Sequence, residues 1–304
     1  HHPWLIGGAA DLAPSTKTHL NFEGAGDLEA DQPAGRNLHF GIREHAMGAI
    51  LSGLALSKIR AFGAGFLIFS DYMKPSIRLA ALMELPVIYV FTHDSIGVGQ
   101  DGPTHQPVEQ LVALRSIPGL ITLRPADANE VAEAWRLVVG LRHQPVCLAL
   151  SRQPLPTIDR ARYAAAAGVA RGAYILADAD AQPAVILIGT GSEVALCLDA
   201  YEALRQEGIL ARVVSMPSWE LFEQQNQEYR DHVLPPDVTA RVSVEMGSVI
   251  GWDRYAGPGG ARIGMHTFGS SAPLKDLLTK FGFTAGHVLA AAKDQIEKLK
   301  GIPA

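Results

Sequence analysis

Short apolar runs alternate along the chain with longer stretches whose hydrophobic residues recur every three or four positions. That alternation of strand and helix is the pattern of a parallel α/β sheet. Leu5-Ile6-Gly7-Gly8 reads as a strand and turn with no lead-in helix. Asn37–Phe40 predicts a short strand running into a helix over Glu44–Lys58, and Arg60–Phe66 a strand followed by a helix near Tyr72–Met83. Pro86–Thr92 is apolar and β-branched, a strand that opens into a Gly-rich loop over Asp94–Thr104. A helix near Val108–Arg115, a strand at Leu120–Arg124, a helix at Asn129–Arg142 and a strand at Val146–Ser151 complete the first pattern. Asp127 or Asn129 is positioned to cap the last of these helices.

Residues 152–170 are rich in Pro and Ala without a period, and read as a linker. A second pattern follows. Ala184–Ile188 predicts a strand, Gly189-Thr190-Gly191-Ser192 a tight turn, and Glu193–Gln206 an amphipathic helix closed by Gly208. Val213–Met216 and Val242–Val244 predict strands, and Gly286–Lys300 a final helix. The fold class expected is two consecutive three-layer α/β domains with mostly parallel sheets, over residues 1–160 and 170–304.

Composition agrees with packed domains: 48% of the 304 residues are hydrophobic and 19% charged, with a formal charge of -5. No basic run and few aromatic residues argue against a nucleic-acid surface or an anionic membrane as partner. Cys147 and Cys197 each sit in an apolar run, which suits two buried thiols in a reducing compartment. No apolar run reaches the ~18 residues of a membrane span, and no signal peptide is visible at the N-terminus. A cytoplasmic protein is the expectation. The start at a strand, without a lead-in, suggests a fragment or a split subunit.

Ligands of open α/β sheets bind beyond the carboxyl ends of the strands, and three loops there carry unusual polar residues. Glu44 leads a helix that is otherwise almost wholly apolar. It either favours the helix N-terminus or is a buried carboxylate suited to general acid/base work. His93–Pro107 brings two His, two Asp and three Gly into one loop. Metal binding by His93, Asp101 and His105 is one reading, although the spacing matches no zinc or iron pattern. A polar substrate pocket is the other. Phe66, Phe69 and Tyr72 fall at i, i+3 and i+6 and share one helical face, as core or as pocket wall. Asp11 reads as a turn residue or an Asx cap, Arg152 as a strand-end cation that binds an anion or only caps the sheet edge, and the 189–192 segment as a turn rather than a phosphate loop.

Gly41–Met47 followed by the string H-D-S-I-G-V-G-Q-D-G-P-T-H-Q-P at His93–Pro107 resembles the transketolase family. Ala10–Ser15, Ser151-Arg152-Gln153, Met216-Pro217 and Phe268–Pro273 fall in the family's order, so the resemblance covers nearly the whole chain. It implies a pyrimidine-binding domain of a thiamine diphosphate enzyme followed by a transketolase C-terminal-like domain. By that resemblance Glu44 hydrogen-bonds a ring nitrogen of the cofactor's aminopyrimidine and favours its imino tautomer. Phe66, Phe69 and Tyr72 surround that ring, with Asp11 nearby. His93, Asp101 and His105 hold sugar hydroxyls and move protons, and Ser15 and Arg152 grip a substrate phosphate. The reaction implied is transfer of a two-carbon ketol unit between sugar phosphates in the pentose phosphate pathway, by a homodimer or a heterotetramer with an N-terminal partner chain. The diphosphate, and the Mg2+ or Ca2+ it needs, belong to an N-terminal domain that is missing from this sequence. No metal ligand is expected here, and the chain alone is expected to be inactive. Dihydroxyacetone synthase, other thiamine enzymes of this fold, and a non-catalytic regulatory module are the alternative readings.

Overall fold

The apolar runs of the first half become six strands of one all-parallel sheet: β1 (Ile6–Ala9), β2 (Asn37–His39), β3 (Ala61–Phe66), β4 (Ile88–Thr92), β5 (Ile121–Leu123) and β6 (Val146–Ala149). Their order is β2-β1-β3-β4-β6-β5. The computed structural model describes residue 2 and residues 4–300, the side chain of Lys300 aside. Helix Glu44–Leu56 lies close on this sheet because Gly63 of β3 leaves room for it. A Cβ there would come within 2.5 Å of Leu51 and 3.1 Å of Met47. Gly48 does the same for the neighbouring helix Ser70–Leu82, where a Cβ would meet Ser76 at 2.6 Å. Met47 and Leu51 are fully buried between these layers, each contributing roughly 1.5–3 kcal/mol.

The second half forms β7 (Tyr174–Ala177), β8 (Val185–Gly189), β9 (Ala211–Ser215), β10 (Arg241–Ser248) and β11 (Ala261–Met265), in the order β11-β10-β8-β9-β7. All neighbours run parallel except β7, which is antiparallel to β9 at one edge. One apolar core includes residues of both sheets, among them Val90, Leu148, Leu187 and Val213.

The elements missed by periodicity are the short ones. β7 is a four-residue edge strand, and β11 alternates weakly around Arg262 and Gly264. The helices Ala13–Thr16, Trp219–Glu223, Gln227–Val233, Asp253–Ala256 and Leu274–Phe281 are too short for a period to emerge. The strand predicted at Val242–Val244 extends over all of β10. Helix Gln110–Arg115 starts two residues later than predicted, where the Gln110 side chain accepts a hydrogen bond from Val108 N at 3.0 Å. Asp127 caps helix Ala128–Gly140 by accepting from Glu130 N at 2.9 Å. Gly208 follows helix Glu193–Gln206 with φ +73°. Cys147 and Cys197 are free and buried, and burial pushes both thiols up. No described helix is long and apolar enough to cross a membrane.

Candidate functional site

The strands β2, β1, β3 and β4 are neighbours, so the loops at their carboxyl ends meet. After β2, Gly41 (φ +66°) turns the chain so that Glu44 opens its helix. After β3, Phe66 ends the strand, Leu67–Phe69 forms a 3-10 turn, and Tyr72 lies in the following helix. The single helical face expected for the three aromatics is therefore built from three kinds of backbone. The rings still line up, Phe66 to Phe69 and Phe69 to Tyr72 each stacked at 6.1 Å.

These rings wall an open cavity of about 570 Å³ together with Asp11, Ile42, Glu44 and His105. Tyr72 and Ile42 are 67% and 78% exposed at this face. Glu44 is only 8% exposed and makes no side-chain hydrogen bond to another described residue. Neither of its carboxylate oxygens is among the fully buried polar atoms left without a partner, so the carboxylate opens into the cavity, where a ligand hydrogen bond to such a charged acceptor contributes about 1.5–3 kcal/mol. The cavity thus offers stacked aromatic faces and one unpaired carboxylate. That combination suits a flat heterocycle with a ring N–H or protonated nitrogen.

The loop after β4 begins at His93, whose ring stacks on Phe66 at 3.6 Å. Burial lowers its pKa to about 4, and Arg152 and His105 add to that against the opposing charges of Asp101 and Asp94. His93 is neutral at pH 7, so one ring nitrogen can accept a proton. Its Nδ1 pairs with Thr92 Oγ1 at 2.9 Å, and His105 Nδ1 pairs with Thr104 Oγ1 at 3.1 Å. His105 also meets Phe69 edge-on at 5.7 Å. Asp11 and His93 both adopt positive φ, 62° and 60°, a conformation that costs on the order of 1–3 kcal/mol and gathers at functional sites.

The structure therefore brings Asp11, Glu44, Phe66, Phe69, Tyr72 and His105 to one cavity, with His93 joined through Phe66 and with Asp101 and Arg152 acting on His93. Ser15 is exposed on the short helix beside Asp11 and does not line that cavity. A smaller cavity of about 350 Å³ adjoins it through Asp11, with His19 and His39 in its wall. Sequence reasoning did not single out Ile42, His19 or His39. Only their closeness in sequence to Asp11 and Glu44 could have pointed to them. Among the described residues, no group of three or more His, Cys, Asp or Glu could hold a metal ion.

Two parallel-dominated α/β layers, the first carrying an aromatic cavity with an acidic wall at its strand ends, define a cofactor-binding portion of an enzyme. Residues 1–157 match the family described as "Transketolase, pyrimidine binding domain", and residues 172–284 the "Transketolase-like TK C-terminal domain". The chain belongs to the transketolase family, which is thiamine diphosphate-dependent. It is 54% identical to a transketolase of Halalkalibacterium halodurans over 97% of its own length and 44% of the relative's, and 50% identical to that of Bacillus subtilis over the same shares. A transketolase structure from Leishmania mexicana superposes with a TM-score of 0.92 at 43% identity, covering 97% of this chain and 43% of that one. A split-gene transketolase chain, in an inactive β4 tetramer, shares the fold at a TM-score of 0.73 and 24% identity, with 92% of that chain covered. The chain spans about 42–56% of the length of the curated relatives it matches.

Proposed function

We propose that this chain supplies the pyrimidine-side half of a transketolase active site, with residues 1–160 as the pyrimidine-binding domain and 170–304 as the C-terminal-like domain. The observation that carries the reading is Glu44, a carboxylate without a protein donor that lines the cavity, set in a wall of stacked aromatic rings. Glu44 accepts the hydrogen bond of an aminopyrimidine nitrogen, Phe69 offers the stacking face, and Phe66 and Tyr72 exclude water around it, with Asp11 beside them. Thiamine diphosphate, when bound, would supply the carbon nucleophile for transfer of a two-carbon ketol unit from a ketose phosphate to an aldose phosphate. His93, neutral at pH 7, and His105 hold and move protons at the sugar hydroxyls, with Asp101 as a further acceptor. Ser15 and Arg152 bind the substrate phosphate, where Arg suits bidentate contact.

The diphosphate and its Mg2+ or Ca2+ fall to an N-terminal domain outside this sequence, in a homodimer or a heterotetramer with an N-terminal partner chain. Ile42, Ile50, Tyr72, Leu79 and Leu82 are exposed on the elements flanking the site, which supports an assembly that covers this face. A cytoplasmic role in the pentose phosphate pathway accompanies the reading. In the test, this chain is titrated with thiamine diphosphate and Mg2+, alone and mixed with the N-terminal half of a transketolase. The expected result is weak binding alone, and ketol transfer from xylulose 5-phosphate to ribose 5-phosphate in the mixture. Submicromolar binding by the chain alone, or transfer only to formaldehyde, overturns it.

A further inference from the structure

The two histidines of the β4 loop share a local pattern. Each follows a threonine that pairs with its Nδ1, as described above, and each precedes a buried polar residue, Asp94 after His93 and Gln106 after His105. Both of these successors are tied to the second sheet's domain. Asp94 Oδ2 accepts from Arg124 Nε at 2.8 Å. Arg124 donates onward to Thr190 O at 2.8 Å and pairs with Glu193, whose carboxylate also accepts from Met246 N at 2.8 Å. Gln106 Nε2 donates at 2.8 Å both to Gly99 O, inside the loop, and to Ser270 O, across the domain boundary. Ser271 Oγ donates to Gln100 O at 2.6 Å between these points.

We propose that the second domain sets the positions of His93 and His105 through two clamps, Glu193–Arg124–Asp94 on one and Ser270–Gln106 on the other, with Ser271–Gln100 between them. The inference rests on the transketolase reading for what the histidines do, but not for where the clamps hold them. Asp94, Gln106, Arg124 and Glu193 are positioning residues, because none of them lines the cavity. Three features favour clamps over mere adhesive between domains. Two of the three side-chain ties fall on the residues covalently next to the histidines, Asp94 and Gln106, and the third on Gln100 between them. His93 is held at φ +60°, a conformation that persists only when its surroundings over-determine it. Asp94 and Gln106 are each 2% exposed, and each keeps one buried oxygen without a partner, Oδ1 and Oε1. Their side chains are thus aimed at the cross-domain donors and acceptors at the expense of full satisfaction.

Glu193→Gln keeps the shape of the first clamp and removes its charge. The chain is followed by imidazole NMR across pH, with melting as a control for folding. His93 is faced by Arg152, Asp101, Asp94 and His105, and lies against Phe66 and Thr92. Loosening the clamp admits water, so its titration midpoint rises from about 4 by about one unit or more, toward the ordinary value. In the mixture with an N-terminal half, kcat for ketol transfer falls up to ~100-fold with a smaller change in KM, as expected for a displacement of about an ångström. Ser271→Ala, which removes one exposed hydroxyl, serves if Glu193→Gln does not fold. It shifts the same signals less, and Ser271→Thr restores them. Folded variants with unchanged imidazole titration and unchanged kcat overturn the proposal. If the wild-type mixture shows no ketol transfer, the functional reading fails while the NMR arm still decides the clamp.

Discussion

The cavity at the strand ends and the seam between the two domains are both rich in polar side chains, yet they treat them oppositely. In the seam, Arg124 and Glu193 are fully buried and paired. Arg115 holds Glu245 through two bonds at 2.9 and 2.7 Å and lies over the Trp219 ring at 4.1 Å. Trp252 Nε1 donates to the same Glu245. Burial would raise Glu245, but Arg115 outweighs it and holds the carboxyl below the usual range. Burial would likewise lower Arg124, and Asp94 and Glu193 drive it up instead. At the cavity, Glu44 is left without a donor, two residues carry strained backbone, and large aromatics face solvent. The seam pairs its charges with one another while leaving single buried oxygens such as Asp94 Oδ1 and Gln106 Oε1 unmatched, whereas the cavity leaves a whole carboxylate for a ligand to answer.

The comparison is tested most severely by Arg124→Met. It strands Asp94 and Glu193 without their cation, and breaking a buried pair on one side costs about 3–5 kcal/mol. Urea denaturation of the chain reads this directly, and a loss below about 1 kcal/mol would show that the seam is not built on that pair. Glu44→Gln should do the reverse. Ketol transfer in the reconstituted mixture falls by about 100-fold or more, while the melting temperature of the chain holds or rises. A drop in melting temperature would place Glu44 among the structural groups. Phe69→Ala removes a stacking face worth about 0.5–1.5 kcal/mol, so cofactor affinity of the assembled protein weakens about two- to tenfold by calorimetry, again without loss of fold. A separate effect is on pH dependence. His93 titrates near 4 in the fold and near 6.5 when unfolded, so the unfolded chain binds more protons between those values. Its contribution to stability is full above about pH 6.5 and is lost as pH falls toward 4. His93→Gln should flatten unfolding free energy against pH in that window, and an unchanged slope would contradict the assignment.

The cavity was legible in the sequence because its residues announce themselves locally. Glu44 stands out against an apolar helix, and the His93–Pro107 string gathers its chemistry within fifteen positions. The sheet placed those loops side by side through strand order, which follows from alternating strands and helices. The seam was not legible. Arg124 closes a strand as many cations do, and Glu193 looks like any acidic residue in a first helical turn, where charge is favoured anyway. Their meaning comes from a partner 69 positions away, which no local pattern encodes. Gly191 shows the same limit. Its turn is built as expected, but what it makes room for is the Arg124 guanidinium, which a Cβ would meet at 2.6 Å.

The shared apolar core and the seam carry one more consequence. Val90 and Leu148 pack in the same cluster as Leu187 and Val213, and Glu130 of the first domain accepts from Tyr174 and Ser215 of the second at 2.7 and 2.6 Å. The covalent stretch between the domains is therefore not what unites them. Exposed Thr157 is a point where the backbone could be cut and the two pieces would remain a non-covalent pair, exchanging their deepest amide hydrogens together and unfolding in one cooperative transition.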